Sequence, residues 1–243
     1  MRVSQLPILK RLVPSTRHRL ARLMWGGNRG VIRRDGALFG VDLAHWADKT
    51  LLTRGAFERA QTAYLIEEIE ARGCDTFLDI GANMGAYSIF VALQTDCPRI
   101  IAFEPDQRSY TKLCKNVALN RLSERIELHA VAVSNINGTV PFIPGPDHFD
   151  AVSKVGVDAQ SKPVPAVRLD DLLSLSGHAI ALKIDIEGHE LTALEGMRVL
   201  LRENECFMQV ECFDENLARF TEAMTVLGYR QIYAIGIDRY FSK

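Results

Sequence analysis

Apolar side chains recur in a fixed rhythm from residue 73 onward. Short runs at 76–80, 99–103, 126–133, 179–184 and 206–212 are nearly continuous in apolar residues, as expected of strands buried on both faces. Between them, 85–93, 108–120, 191–201 and 215–227 carry apolar positions three and four apart, which predicts helices. The final segments, 229–235 and 238–241, predict a hairpin turning at Gly236. Strands alternating with helices define an α/β fold. The expected architecture is a single doubly wound, mainly parallel sheet ending in an antiparallel hairpin. The rhythm lapses at 144–165, which is rich in Pro, Gly, Asp and Ser. Its length predicts a lid or substrate loop rather than a plain connection.

Upstream, a helix is expected over 56–72, with Phe57, Ala60, Tyr64, Leu65 and Ile69 apolar and Gly73 as its stop. A β-like stretch at 30–41 turns at Arg34-Asp35-Gly36. A short helix is expected over 15–25, capped by Ser15, with Leu20, Leu23 and Met24 on one face. These segments suggest an extension over 1–50 and a main domain over 51–243.

Charge sharpens that division. The chain of 243 residues has a net charge of only -1, but residues 1–35 hold nine Lys or Arg against one acid, Asp35. The basic start is either a solvated helix packed on the domain or an amphipathic patch for peripheral membrane contact through 1–35. It lacks the interleaved aromatics of a single-strand binder, so no nucleic-acid partner is expected. No run reaches the ~18 apolar residues of a membrane span, and the start has no continuous apolar core of a signal peptide. The five cysteines, at 74, 97, 114, 206 and 212, form no CxxC pair. They suggest reduced thiols and a cytoplasmic protein.

In a sheet of this kind ligands bind at the carboxyl ends of the strands. The first strand runs into Asp79-Ile80-Gly81-Ala82-Asn83-Met84-Gly85, a turn where Gly81 and Gly85 permit close approach to a ligand. The next ends at Glu104-Pro105-Asp106. Glu104 is placed to accept the ribose hydroxyls of a nucleoside cofactor, while Asp106 is better placed to cap the following helix. A dinucleotide site asks for a second glycine where Asn83 stands, because the pyrophosphate must approach the backbone. S-adenosyl-L-methionine has no pyrophosphate, and Asp79 suits the ammonium of its methionine moiety.

At this point the chain resembles the FkbM methyltransferases, within the class I, Rossmann-like group. The resemblance rests on the segment from Leu78 to Ser88, on Phe103-Glu104-Pro105 with Asn116-Val117-Ala118-Leu119-Asn120, and on Leu182-Lys183-Ile184-Asp185-Ile186-Glu187-Gly188 with Glu190. It covers about 54–228. It implies S-adenosyl-L-methionine as cofactor, held by Asp79, Gly81, Asn83, Gly85 and Glu104, with Ser134 and Asn135 near the adenine. It also implies O-methylation of a small-molecule or glycolipid acceptor, such as a sugar hydroxyl of a bacterial glycan. The short form and basic start are similar to family members that methylate a fucosyl residue of a lipo-chitooligosaccharide nodulation factor.

The fourth strand ends in a dense polar cluster of Lys183, Asp185, Glu187, His189 and Glu190. O-methylation wants a base near the acceptor oxygen, and Asp185, His189 and Lys183 are the candidates. Glu187 and Glu211 are expected to bind substrate hydroxyls. Together with Asp185 they could hold a divalent cation, but nothing demands a metal. Alternatively, Lys183 only neutralises Asp185 while Glu187 and Glu190 cap the next helix. Two other functions fit a similar sheet: an NAD-dependent oxidoreductase, which Asn83 disfavours, and a non-catalytic membrane-surface scaffold.

Overall fold

The computed structural model describes residues 7–45, 48, 49, 51, 52, 58–146 and 153–243. In chain order, α1 (Pro7–Trp25) leads into a hairpin of β1 (Arg29–Arg34) and β2 (Ala37–Asp42). Next come α2 (Arg59–Arg72), β3 (Thr76–Ile80), α3 (Ala86–Gln94), β4 (Arg99–Phe103), α4 (Gln107–Leu119) and β5 (Ile126–His129). An inserted region holds β6 (Ala132–Val133), β7 (Gly138–Ile143), β8 (Lys154–Val155), β9 (Lys162–Val167) and the short α5 (Leu169–Leu172). The chain closes with β10 (Ala179–Ile184), α6 (Glu190–Glu195), α7 (Arg198–Glu203), β11 (Glu205–Glu211), α8 (Asp214–Val226), β12 (Arg230–Ile235) and β13 (Asp238–Ser242).

Seven strands form the central sheet in the order β12-β13-β11-β10-β3-β4-β5. Five strands, β11, β10, β3, β4 and β5, run parallel, and β13 and β12 add antiparallel at one edge. All five residues of β3 are buried. Because neighbours point to opposite faces, Phe77 enters one core with Phe39, Leu65 and Ile89. Leu78 enters the other with Leu182, Met208 and Phe241. The chain runs outward from β3 to β5, then returns to β10 on the other side of β3. That reversal opens a crevice at the carboxyl ends of β3 and β10.

The N-terminal hairpin shares the first core through Ile32, Ala37, Phe39 and Val41. Its backbone is held by α4. Asn116 Oδ1 accepts from Gly40 N (2.9 Å), and Asn120 Oδ1 accepts from Leu38 N (2.7 Å).

Several local expectations are corrected. The first helix begins at Pro7, so Ser15 lies inside it rather than capping it. The expected helix start at Ala56 and Phe57 falls outside the described residues, and α2 begins at Arg59. The run 126–133 divides between two sheets. The span 191–201 is two helices broken near Gly196, where an added Cβ would meet the Ser134 carbonyl oxygen at 1.9 Å.

The span 144–165 is not simply a loop. Its β8 and β9 complete a four-stranded sheet, β6-β9-β7-β8. Pro163 and Pro165 are tolerated in β9 because β6 pairs only with Ala166 and Val167, which leaves that edge of the strand open beside the prolines.

Candidate active site

The first strand-to-helix turn is shaped by three left-handed residues, Gly81 (φ 83°), Asn83 (φ 49°) and Gly85 (φ 84°). Gly81 is also sterically required, because a Cβ there would lie 1.9 Å from the Asp185 carbonyl oxygen. Gly81 N and Ala82 N both donate to Phe103 O at 3.0 Å. Glu104 closes the turn, accepting from Asn83 N and Asp106 N at 2.8 Å each. It is buried, yet each carboxylate oxygen has a second lone pair for a hydroxyl. Burial pushes its pKa up to about 7. Asp106 caps α4 as expected, accepting from Arg108 N at 2.8 Å.

Asp79 lies fully buried beneath the turn. Its Oδ2 accepts from Ser88 N (3.1 Å) and Ser88 Oγ (2.6 Å), while its Oδ1 has no partner within the protein. Burial raises its pKa, against the opposing charge of Lys183. Ser134 is buried behind the wall, where its Oγ stands 3.0 Å from His189 Nε2.

Two cavities flank the turn. The first lies over β4 and is lined by Gly81, Asn83, Phe103, Glu104, Pro105 and residues 131–133. Phe142, Lys154 and Val155 of the inserted sheet form its far wall, and His189 faces it. Ser153 fastens that wall, accepting from Gly145 N (2.8 Å) and donating to the Asp106 carboxylate (3.1 Å). The second cavity has apolar walls at Leu51, Met84, Ala86 and Phe90, and Tyr87 beside them. Its polar side carries Glu58, Lys183, Asp185, Glu187 and Glu211. Asn83, Asp185 and Glu187 line both cavities, so the two spaces share one partition.

Lys183 is the hub of the second cavity. Its Nζ is 2.9 Å from Asp185 Oδ2, 3.2 Å from Gly81 O and 5.1 Å from the Tyr87 ring centroid. Burial alone would lower its pKa, but the charges of Asp185, Asp79 and Glu58 outweigh that and hold it raised. Burial, reinforced by Asp185, Glu187 and Glu58, lifts Glu211 to about 8. Burial, reinforced by Asp185 and Glu190, lifts Glu187 to about 7. Four carboxyls face one ammonium, and the space gains negative charge as Glu187 and Glu211 ionise.

The expected pairing of Lys183 with Asp185 is present, and Glu190 accepts from Gly188 N at 2.9 Å. His189 stands on the first cavity, away from Lys183 and Glu211. Burial keeps its imidazole pKa low. Glu58 had no signal in the sequence. It sits before α2 with φ 52°, its carboxylate accepting from Tyr87 OH at 2.9 Å. Tyr87 and Phe90 are buried and also line the second cavity. Phe142 went unrecognised because Pro141 interrupts its strand, and Val155 because its strand lies in the Pro-rich stretch. Among the described residues no group of three His, Cys, Asp or Glu is arranged to hold a metal ion.

A glycine turn on β3, an acid ending β4 and an acid-rich end of β10 define a class I, Rossmann-like methyltransferase fold. The profile of the Methyltransferase FkbM domain matches residues 79–230, and the chain belongs to that family. S-adenosylmethionine is the cofactor of this class of domain. The family match sets aside the oxidoreductase reading. The chain is 28% identical to the hexuronic acid methyltransferase AglP of Haloferax volcanii, over 55% of this chain and 53% of the relative. It is 27% identical to the 31-O-demethyl-FK506 methyltransferase FkbM of Streptomyces tacrolimicus, over 55% of this chain and 64% of the relative. The chain thus spans somewhat over half the length of these relatives. A solved FkbM methyltransferase from Methylobacillus flagellatus KT aligns with a TM-score of 0.49 and 19% identity, covering 69% of this chain and 43% of that one.

Proposed function

We propose that this chain transfers the methyl group of S-adenosylmethionine to a hydroxyl of a neutral sugar, with the donor in the first cavity and the acceptor in the second. The observation that carries this reading is the shared partition of Asn83, Asp185 and Glu187. It puts two ionisable side chains, Asp185 and Glu187, in reach of both spaces.

The residues fit the cofactor. Glu104 keeps lone pairs for ribose hydroxyls, residues 131–133 offer an apolar seat for a base, and the carboxylates favour a cation over a pyrophosphate. S-adenosylmethionine supplies an electrophilic methyl carbon on a sulfonium. Asp185 accepts the hydroxyl proton of the acceptor, and Lys183 orients that carboxylate. Glu211 and Glu187 accept further acceptor hydroxyls. His189, on the donor side with Ser134, serves placement of the donor rather than proton removal.

The acceptor class follows from charge. AglP is named for a hexuronic acid, but in this cavity Lys183 is already paired with Asp185, and repulsion of an acidic sugar grows as Glu187 and Glu211 ionise. Leu51, Met84 and Phe90 suit the apolar face of a neutral or deoxy sugar. A fucosyl residue of a lipo-chitooligosaccharide is one such acceptor.

Titration calorimetry with S-adenosylmethionine and with NAD, followed by transfer assays on neutral and uronic glycans, tests the proposal. Asp185→Asn should bind the donor and lower kcat about a hundredfold on the neutral acceptor. Binding of NAD alone, or an unimpaired Asp185→Asn enzyme, would refute it.

A further inference from the structure

Helix α1 contains no acidic residue. Its inward side is narrow: Ala21 is buried, and His18 and Trp25 are partly buried. Trp25 pins the end of the helix by lying against Gly30 of β1, where an added Cβ would come within 2.1 Å of the indole. The opposite side is apolar and open to solvent. Leu20, Leu23 and Met24 are 58%, 81% and 74% exposed. At helical spacing these three span an arc of about 100°, and Arg17 and Arg19 fall on its two edges. Arg22 is exposed on the flank beyond Arg19.

A solvated helix would carry polar residues where Leu23 and Met24 stand. Binding to nucleic acid would call for cations without an apolar stripe. A second copy of this chain would bring arginine against arginine, which costs rather than gains. An apolar stripe edged on both sides by arginines fits an anionic lipid surface, where the stripe enters the acyl boundary and the guanidiniums meet the headgroups. No helix among the described residues is long and apolar enough to cross a membrane.

We infer that α1 docks the protein, lying in the interface plane, on anionic phospholipid through Leu20, Leu23 and Met24 with Arg17, Arg19 and Arg22. The inference is independent of the acceptor proposed above.

Co-sedimentation of the full chain with phosphatidylcholine vesicles, with and without phosphatidylglycerol, tests it. The protein should bind only the anionic vesicles. The triple variant Arg17→Gln/Arg19→Gln/Arg22→Gln should lower partitioning about a hundredfold. Leu20→Ser/Leu23→Ser/Met24→Ser should lower it at least about tenfold. Leu23→Glu alone serves if the triple variants lose their circular dichroism or S-adenosylmethionine binding. Absence of binding to anionic vesicles overturns the inference. So does binding indifferent to the apolar substitutions, which marks a generic polyanion surface. A concentration-dependent dimer broken by Leu23→Glu would assign the face to a second copy and likewise overturn it.

Discussion

Glu104, Glu187 and Glu211 sit in surroundings that disfavour their charge, at about 7, 7 and 8 against an ordinary 4.5. A carboxyl whose folded pKa is raised contributes stability that is complete below the unfolded pKa and lost as pH rises through the folded one. The ligand-free protein should therefore lose thermal stability between about pH 5 and pH 8, and Glu211→Gln should flatten that slope. Donor affinity should run the other way, rising over the same interval as the carboxylates ionise to meet a cation. Scanning fluorimetry and calorimetry across this range test both trends. A flat melting profile would show that the carboxyls titrate normally. At this scale the sequence displayed Asp79, Glu104 and Asp185, since each ends a legible strand. It did not display Glu58, because only the fold brings the start of α2 beside Lys183 and Tyr87.

Among the elements, the Asn116–Asn120 pair joins parts of the chain far apart in sequence. Asn116 is fully buried. It accepts from Gly40 N in the hairpin and donates to Met84 O in the turn between β3 and α3, at 2.9 Å each. Asn116→Ala leaves both backbone groups unpaired and should cost about 2 kcal/mol, measured as a lower denaturant midpoint. It should also weaken donor binding, because Met84 belongs to the turn. An unchanged donor affinity would show that the turn holds its shape without α4. The central sheet was legible because its inner strands are buried on both faces and so read as unbroken apolar runs. The inserted sheet was not. Prolines at 141, 163 and 165 read as loop, and only pairing Pro141 against Pro163 shows that they occupy positions where no ladder hydrogen bond is required.

At the scale of the whole molecule, the carboxyl edge of one sheet is covered from two sides. The inserted sheet walls the first cavity, and Leu51, following the N-terminal hairpin, walls the second. The hairpin's place in the main core could not be read from residues 1–50, whose charge suggested a separate extension. Between the cavities, Asp185 is tied to the turn by its backbone. Its N–H donates to Ile80 O at 3.0 Å, and its carbonyl fills the space a side chain would take at Gly81. A ligand settling on the turn therefore also sets the strand end that greets the other substrate. In steady-state terms the enzyme should follow a compulsory order, donor on first and spent donor off last. S-adenosylhomocysteine should compete with the donor and act noncompetitively against the acceptor, and a random-order pattern would mean that the turn and the strand end move independently.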